Sequence, residues 1–325
     1  MFKSFFSNNI IMITKKTRRK KMKGGNRYKS IRKYNKKMKG GYNNNNSNIC
    51  APFTDGGTTC FTKRALLNIL KSWNNYYPDN KIVYNKDNKS NLWGKINEKL
   101  NNKCNNDYCW TEQEFLNTSK ENLRKEYFKP HMPEKWQSNF NEWLNTLDIN
   151  KVMKQYEKKY DDFIFIGAVP MDFDKKINPG ECVIDELCNV NVKDLIKQNK
   201  TKLGIVFNLD NHDEDGSHWV SFFCKFGNSD THIYYFDSYG IKETKEIRKL
   251  INRIKEQTTK MGNPTHIHIN KIRHQFKNSE CGIYSLNFII RLLNNESFDS
   301  ITNNITKDDE MQNNRNNYFL NTKNI

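Results

Sequence analysis

The sequence predicts an α+β fold in four parts, and three observations set that reading. Spacings of three and four between apolar residues dominate residues 49–160, as in amphipathic helices. Residues 161–295 instead carry short apolar runs of strand length and then one long helical pattern (Ile283, Leu286, Ile289, Ile290, Leu293). Charge separates a basic arm, residues 1–48, from the rest. Residues 296–325 read as a polar, Asn-rich C-terminal tail, with Tyr318, Phe319 and Leu320 as its late apolar cluster.

The net charge of +18 suggests nucleic acid until it is located. Residues 1–54 hold fifteen of the 54 Lys and Arg and no acid, leaving 39 basic against 36 acidic residues elsewhere. An arm this basic, poor in core periodicity, has the composition of a segment that stays unfolded; it suits nucleic acid, an anionic surface or a nuclear-import address. Within it Lys20-Lys21-Met22-Lys23-Gly24-Gly25 recurs as Lys36-Lys37-Met38-Lys39-Gly40-Gly41. Glycine pairs thread easily into a narrow cleft because they lack obstructing side chains. The apolar-leaning stretch Phe2 to Thr14 is too interrupted to span a bilayer and has its positive charges on the wrong side for a secretory signal. Eight cysteines scattered over this length are expected to be reduced thiols in a reducing, cytosol-like compartment.

In the helical part, Leu66, Leu67, Leu70 and Trp73 share a face, as do Leu92, Trp93, Ile96 and Leu100. Thr111 with Glu114 predicts a capping box before Phe115 and Leu116. Pro133 is expected to open a helix through Trp136, Phe140, Trp143, Leu144 and Leu147, packed as core. Cys50, Cys60, Cys104 and Cys109 do not have the spacing of zinc pairs, and no metal or other cofactor is assigned.

Four strands are predicted: Phe163 to Val169, Leu203 to Leu209, His218 to Phe226 and His232 to Phe236. The turn Gly227-Asn228-Ser229-Asp230 makes the last two a hairpin, which puts His218 and Asp237 at one edge of the sheet. A carboxylate there would hold the imidazole in one tautomer and turn its other nitrogen toward a nucleophile. Cys281 sits at the start of the long apolar helix, where unpaired N–H groups and the helix dipole favour a thiolate. Gln275, six residues upstream, can offer an amide N–H to an oxyanion beside the Cys281 backbone N–H, and Gly282 keeps that approach open. His212, His232, His266, His268 and His274 are rival bases, Asp210 and Asp230 rival carboxylates, and Cys224 a rival nucleophile inside a strand.

Gly216-Ser217-His218-Trp219, Tyr235-Phe236-Asp237-Ser238-Tyr239-Gly240 and Gln275 followed by Glu280-Cys281-Gly282-Ile283-Tyr284 stand in the order of a known family. They resemble the adenovirus-protease-like and SUMO-protease-like cysteine peptidases, over about residues 161–295. Glu280 stands where that family often has Asp. Phe165 to Phe173 and the region from Cys50 to Trp110 are similar to the thiol proteases of large DNA viruses, African swine fever virus among them. The resemblance implies a mixed central sheet flanked by helices and a triad of His218, Asp237 and Cys281 with Gln275 in the oxyanion hole. It also implies Trp219 beside a narrow cleft, no metal or nucleotide, and cleavage of viral structural precursors after small residues such as Gly-Gly. Such an enzyme is expected in the virion and the host cytoplasm, with its arm as a candidate nucleic-acid tether and self-processing site. Two other functions fit the same residues: an isopeptidase acting on a SUMO- or ubiquitin-like modifier, and a catalytically idle, nucleic-acid-tethered virion protein.

Overall fold

A computed structural model describes residues 48–54 and 57–321; the basic arm and both glycine-pair repeats lie outside the described residues. The first helices are α1 (Lys63–Tyr76), α2 (Lys89–Leu100), α3 (Asp107–Trp110), a 3-10 turn (Glu114–Leu116) and α4 (Lys120–Tyr127). Thr62 and Asn88 cap α1 and α2 through their side chains, and the faces read from sequence are the ones that pack: Leu66, Leu70, Trp73, Leu92, Trp93, Ile96 and Leu100 are buried in one cluster. Asp107 is fully buried in that cluster and accepts hydrogen bonds from the Thr59 hydroxyl, the Cys60 N–H (2.8 Å) and the Trp93 indole (2.9 Å).

Two local expectations fail here. Thr111 ends α3 instead of capping the next turn, because its hydroxyl donates back to the Tyr108 carbonyl at 2.7 Å. The helix expected from Pro133 breaks into α5 (Lys135–Ser138) and α6 (Thr146–Lys159). Asparagines break it: Asn139 turns the chain by accepting from the Asn141 N–H, and Asn145 with Asp148 forms a capping box that starts α6. Trp136 and Leu144 are buried, whereas Trp143 and Leu147 are exposed.

The sheet runs β1 (Phe163–Pro170), β4 (Lys202–Asn208), β5 (Trp219–Phe226), β6 (Thr231–Phe236) and β7 (Thr265–Ile269) in that spatial order; β1 and β7 lie parallel to their neighbours and β5 antiparallel to both of its own. Between β1 and β4 lie the short pair β2 (Lys176–Asn178) and β3 (Glu181–Cys182), then α7 (Asp185–Cys188) and α8 (Val192–Lys197). The four strands read from sequence agree to within two residues; β7, whose Thr-His-Ile-His-Ile pattern is polar on an edge, was not legible.

Helices cover both faces. On one, α6 and α10 (Cys281–Leu293) pack on Phe163, Phe165, Val206 and Phe223; on the other, α9 (Lys245–Lys260) sets Ile247, Leu250, Ile251 and Ile254 against Ile205, Phe222 and Ile233. With both faces buried, the central strands β4 and β5 are nearly continuous apolar runs instead of alternating. The tail folds too, as α11 (Phe298–Asn303), α12 (Asp308–Asn313) and α13 (Arg315–Tyr318), with Tyr318 and Phe319 in the α10 cluster. No helix among the described residues is long and apolar enough to cross a membrane.

The expectation of reduced cysteines is overturned for six of the eight: Cys50–Cys60, Cys104–Cys109 and Cys182–Cys188 are disulfide-bonded, and Cys224 and Cys281 are free. Each bridge joins residues ten or fewer apart, brought to Cα separations of 5.1 to 6.3 Å by local turns that spacing alone does not reveal.

Replacing Asp107 by Ala strands three buried donors and should destabilise the protein by about 3 kcal/mol, read from its denaturant midpoint.

Candidate active site

The β5–β6 hairpin delivers the first pair. Ser221 lies opposite Phe236, so the chain entering β5 and the chain leaving β6 emerge side by side. His218 Nε2 and Asp237 Oδ1 lie 2.8 Å apart, and the same carboxylate oxygen accepts the Tyr239 N–H at 2.8 Å. Asp237 is fully buried, its Oδ2 has no hydrogen-bond partner among the described residues, and the Tyr239 ring stacks on His218 at 4.7 Å. Gly240 closes the turn at a φ of +73°, where a Cβ would meet the Ile272 carbonyl carbon at 2.9 Å.

Cys281 comes from the other direction. It is buried at the first position of α10, and Glu280, the residue before it, makes no side-chain cap. The opening N–H groups of α10 therefore lie at the thiol's end of the helix without a capping carboxylate. His218 Nε2 is occupied by Asp237, which leaves Nδ1 as the ring nitrogen free to face a thiol, and Cys281 is near enough to raise the proton affinity of the imidazole. Burial, the largest influence, opposes charge on His218; the hydrogen bonds and charges of Asp237 and Cys281 outweigh it and raise the imidazole to about 9.

Gln275 is fully buried in the loop before α10. Its Oε1 accepts from the Ser238 hydroxyl at 2.6 Å, and Nε2 donates to the Lys277 carbonyl at 2.9 Å, which uses one of the two amide hydrogens. Its backbone N–H and that of His274 both bond the Ser238 carbonyl, tying this loop to the turn that carries Asp237. Trp219 donates its indole N–H to the Leu144 carbonyl at 2.9 Å. Leu144 and Trp219 press on the helix start so closely that a Cβ at Gly282 would lie 2.9 Å from Leu144 Cβ.

Four of the five rival histidines have other hydrogen-bond partners. His212 is held by Asp172 at 2.7 Å, His232 by His268 and Asp230, and His274 by the Thr302 carbonyl. Cys224 is completely buried among apolar side chains, which pushes its thiol well up and away from reactivity. Asp172, His212 and Asp213 place three ligand-type atoms within 4.8 Å of one another, though Asp172 already accepts the His212 ring and backbone N–H groups.

Sequence reasoning missed the tail's part. Asp308 accepts the Phe276 and Lys277 N–H groups at 2.9 Å each and the Tyr284 hydroxyl, so it shapes the Gln275 loop. Arg315 is fully buried, lies 4.3 Å over the Trp136 ring, and donates to the Glu142 carbonyl at 2.6 Å and the Ser279 carbonyl at 3.4 Å. It thereby joins the segment carrying Leu144 to the one carrying Cys281. Burial lowers the Arg315 pKa to about 10, partly offset by Glu280, Asp148 and Cys281, so it remains a cation at neutral pH. Nothing in the sequence around either residue distinguishes them from a solvated polar segment.

Comparison with known proteins agrees with this architecture. The model of a family described as YopJ serine/threonine acetyltransferase matches residues 172–323. A protein of Acanthamoeba polyphaga mimivirus named as a thiol protease is 32% identical over 291 residues, covering 84% of this chain and 94% of its own. The SUMO-1 cysteine protease of African swine fever virus is 29% identical over 176 residues, covering 52% and 64%. A crystal structure of the African swine fever virus protease superposes with a TM-score of 0.60 at 21% identity, over 84% of this chain and 96% of that one. The fold is thus that of the African swine fever virus protease. The chain belongs to the family of viral thiol proteases, and it is an enzyme of the cysteine-peptidase class.

A raised histidine pKa stabilises the fold while the group is protonated; the contribution is full below the unfolded value of 6.5 and is lost as pH rises through about 9. Asp237→Asn removes much of it. The stability gap between wild type and this variant should therefore shrink by on the order of 2 kcal/mol from pH 6 to pH 10 in denaturant titrations.

Proposed function

We propose that the chain is an endopeptidase that cleaves viral precursor proteins after Gly-Gly, with Cys281 as nucleophile, His218 as base and acid, and Asp237 orienting His218. The observation that carries this reading is His218 bonded through Nε2 to the buried Asp237, with its proton affinity raised by both Asp237 and Cys281, the residue at the head of α10. Cys281 Sγ would add to the carbonyl carbon of the second glycine while the remaining Gln275 amide hydrogen and the Cys281 backbone N–H receive the oxyanion. His218 then gives its proton to the leaving amine, the C–N bond breaks, and water hydrolyses the thioester as His218 takes the proton back. Glycine is favoured because Trp219 and Leu144 crowd the helix start. The two Lys-Lys-Met-Lys-Gly-Gly elements of the arm make it a substrate of its own protease, cut after Gly25 or Gly41. An arm so basic would bind nucleic acid until it is removed, which suits a protease that acts in the host cytoplasm and the virion.

Gly-Gly-X peptides should be hydrolysed by wild type, at background rate by Cys281→Ala, and about a thousandfold more slowly by Asp237→Asn. Intact mass after incubation should show a shortened N-terminus for wild type and a full-length one for Cys281→Ala; uncut wild type removes the self-processing idea. Two observations favour other acceptors or substrates for the same thioester. The relative named as a SUMO-1 cysteine protease points to modifier conjugates, and the acetyltransferase family model points to a serine or threonine hydroxyl in place of water. Release of SUMO from a conjugate faster than cleavage of Gly-Gly-X, or label transfer from acetyl-coenzyme A to protein hydroxyls, would replace the endopeptidase reading.

A further inference from the structure

A cavity of about 670 Å³ opens beside the site. Its wall includes Gly216 and Trp219, which flank His218, and Leu144, which covers the start of α10. The apolar part of the lining includes Trp136, Ile177, Val183 and Ile184, and the charged part Glu142, Glu214 and Asp215, with Lys135 as its one lysine. Asp148 also lines it, but that carboxylate is buried and spent on the α6 cap. His212, the lining histidine, is already held by Asp172. Outside the arm, charges nearly balance at 39 basic to 36 acidic residues, so the negative excess around this cavity is local.

We propose that this cavity selects substrates with lysines in the few residues before the scissile glycine pair; the inference rests on the endopeptidase reading above and names its substrate class. A lysine has the two parts the lining asks for: a four-carbon stem for the apolar surface and an ammonium for the rim carboxylates. Four extended residues span about 14 Å, so side chains at those positions stay close to a cavity that begins next to His218. The sequence itself contains two segments of this chemistry, each with three lysines in the four residues before Gly-Gly: Lys20 to Gly25 and Lys36 to Gly41. Glu214 and Asp215 are exposed, as an electrostatic selector at the mouth of a cleft must be.

The test compares kcat/KM for peptides Lys-Lys-Met-Lys-Gly-Gly-Asn and Ala-Ala-Met-Ala-Gly-Gly-Asn with the full-length enzyme at low and high salt. The lysine peptide should be preferred about tenfold at low salt, with the ratio falling toward one as salt rises. In the doubly neutral variant Glu214→Gln/Asp215→Asn the ratio should approach one already at low salt; because both peptides meet the same enzyme, a folding loss cannot mimic this. Equal cleavage of the two peptides by wild type, or an unchanged ratio in the variant, overturns the selection and leaves the protease reading intact. Failure to cut either peptide, with Cys281 still labelled by a thiol reagent, overturns the Gly-Gly reading and the selection with it. A lysine preference that appears only when the lysines follow the glycines also overturns the proposal.

Discussion

Burying α10 against the middle strand of the sheet is the constraint from which the rest of the structure follows. Eleven of its thirteen residues are buried, and the Ser221 hydroxyl donates to the Ser285 carbonyl where helix and strand meet. A helix so apolar cannot be shifted outward or rotated without exposing large side chains, each worth about 2 kcal/mol of burial. Its first residue is therefore fixed in space, and that residue is Cys281. The hairpin of β5 and β6 packs under the same helix, so the ends of the two strands arrive at the thiol by the same geometry. The core alone thus sets where His218, Asp237 and Cys281 lie relative to one another.

Electrostatics then acts on groups already in place. Asp237 has no exposure, and His218 gains a proton affinity well above its ordinary value although burial works against it. The surrounding loops are held by buried polar groups from the C-terminal segment: Asp308 under the Gln275 loop and Arg315 between the Glu142 and Ser279 carbonyls. A buried ion contributes registry more than net stability. That is a reasonable role for Arg315, which bridges two segments that both touch the start of α10.

The site was legible where local pattern and topology coincide. His218 and Asp237 could be paired from strand lengths and one turn, and Cys281 from the boundary between a polar loop and an apolar helix. What the sequence hid depends on long-range partners. Asp308 and Arg315 look like ordinary charges in an Asn-rich tail, and only folding reveals that they are buried. Leu144 was placed on a helix that does not form, because Asn139 and Asn145 offer the backbone alternative hydrogen bonds at the same positions. The disulfides were missed because a count of cysteines over a long chain says little about which turns bring neighbours together. β7 escaped because an edge strand with alternating histidines carries little apolar signal.

The claim at the centre of this account is that the thiol at the head of α10 forms the acyl-enzyme. The most direct measurement is to label the nucleophile that would form it with a Gly-Gly peptide ending in an α,β-unsaturated methyl ester, to whose alkene carbon a thiol adds as a stable thioether, and to map the adduct by mass spectrometry in wild type and His218→Ala. The account predicts one adduct, on Cys281, formed far more slowly when His218 is absent. An adduct on Cys224, or labelling of Cys281 at the same rate without His218, would contradict it.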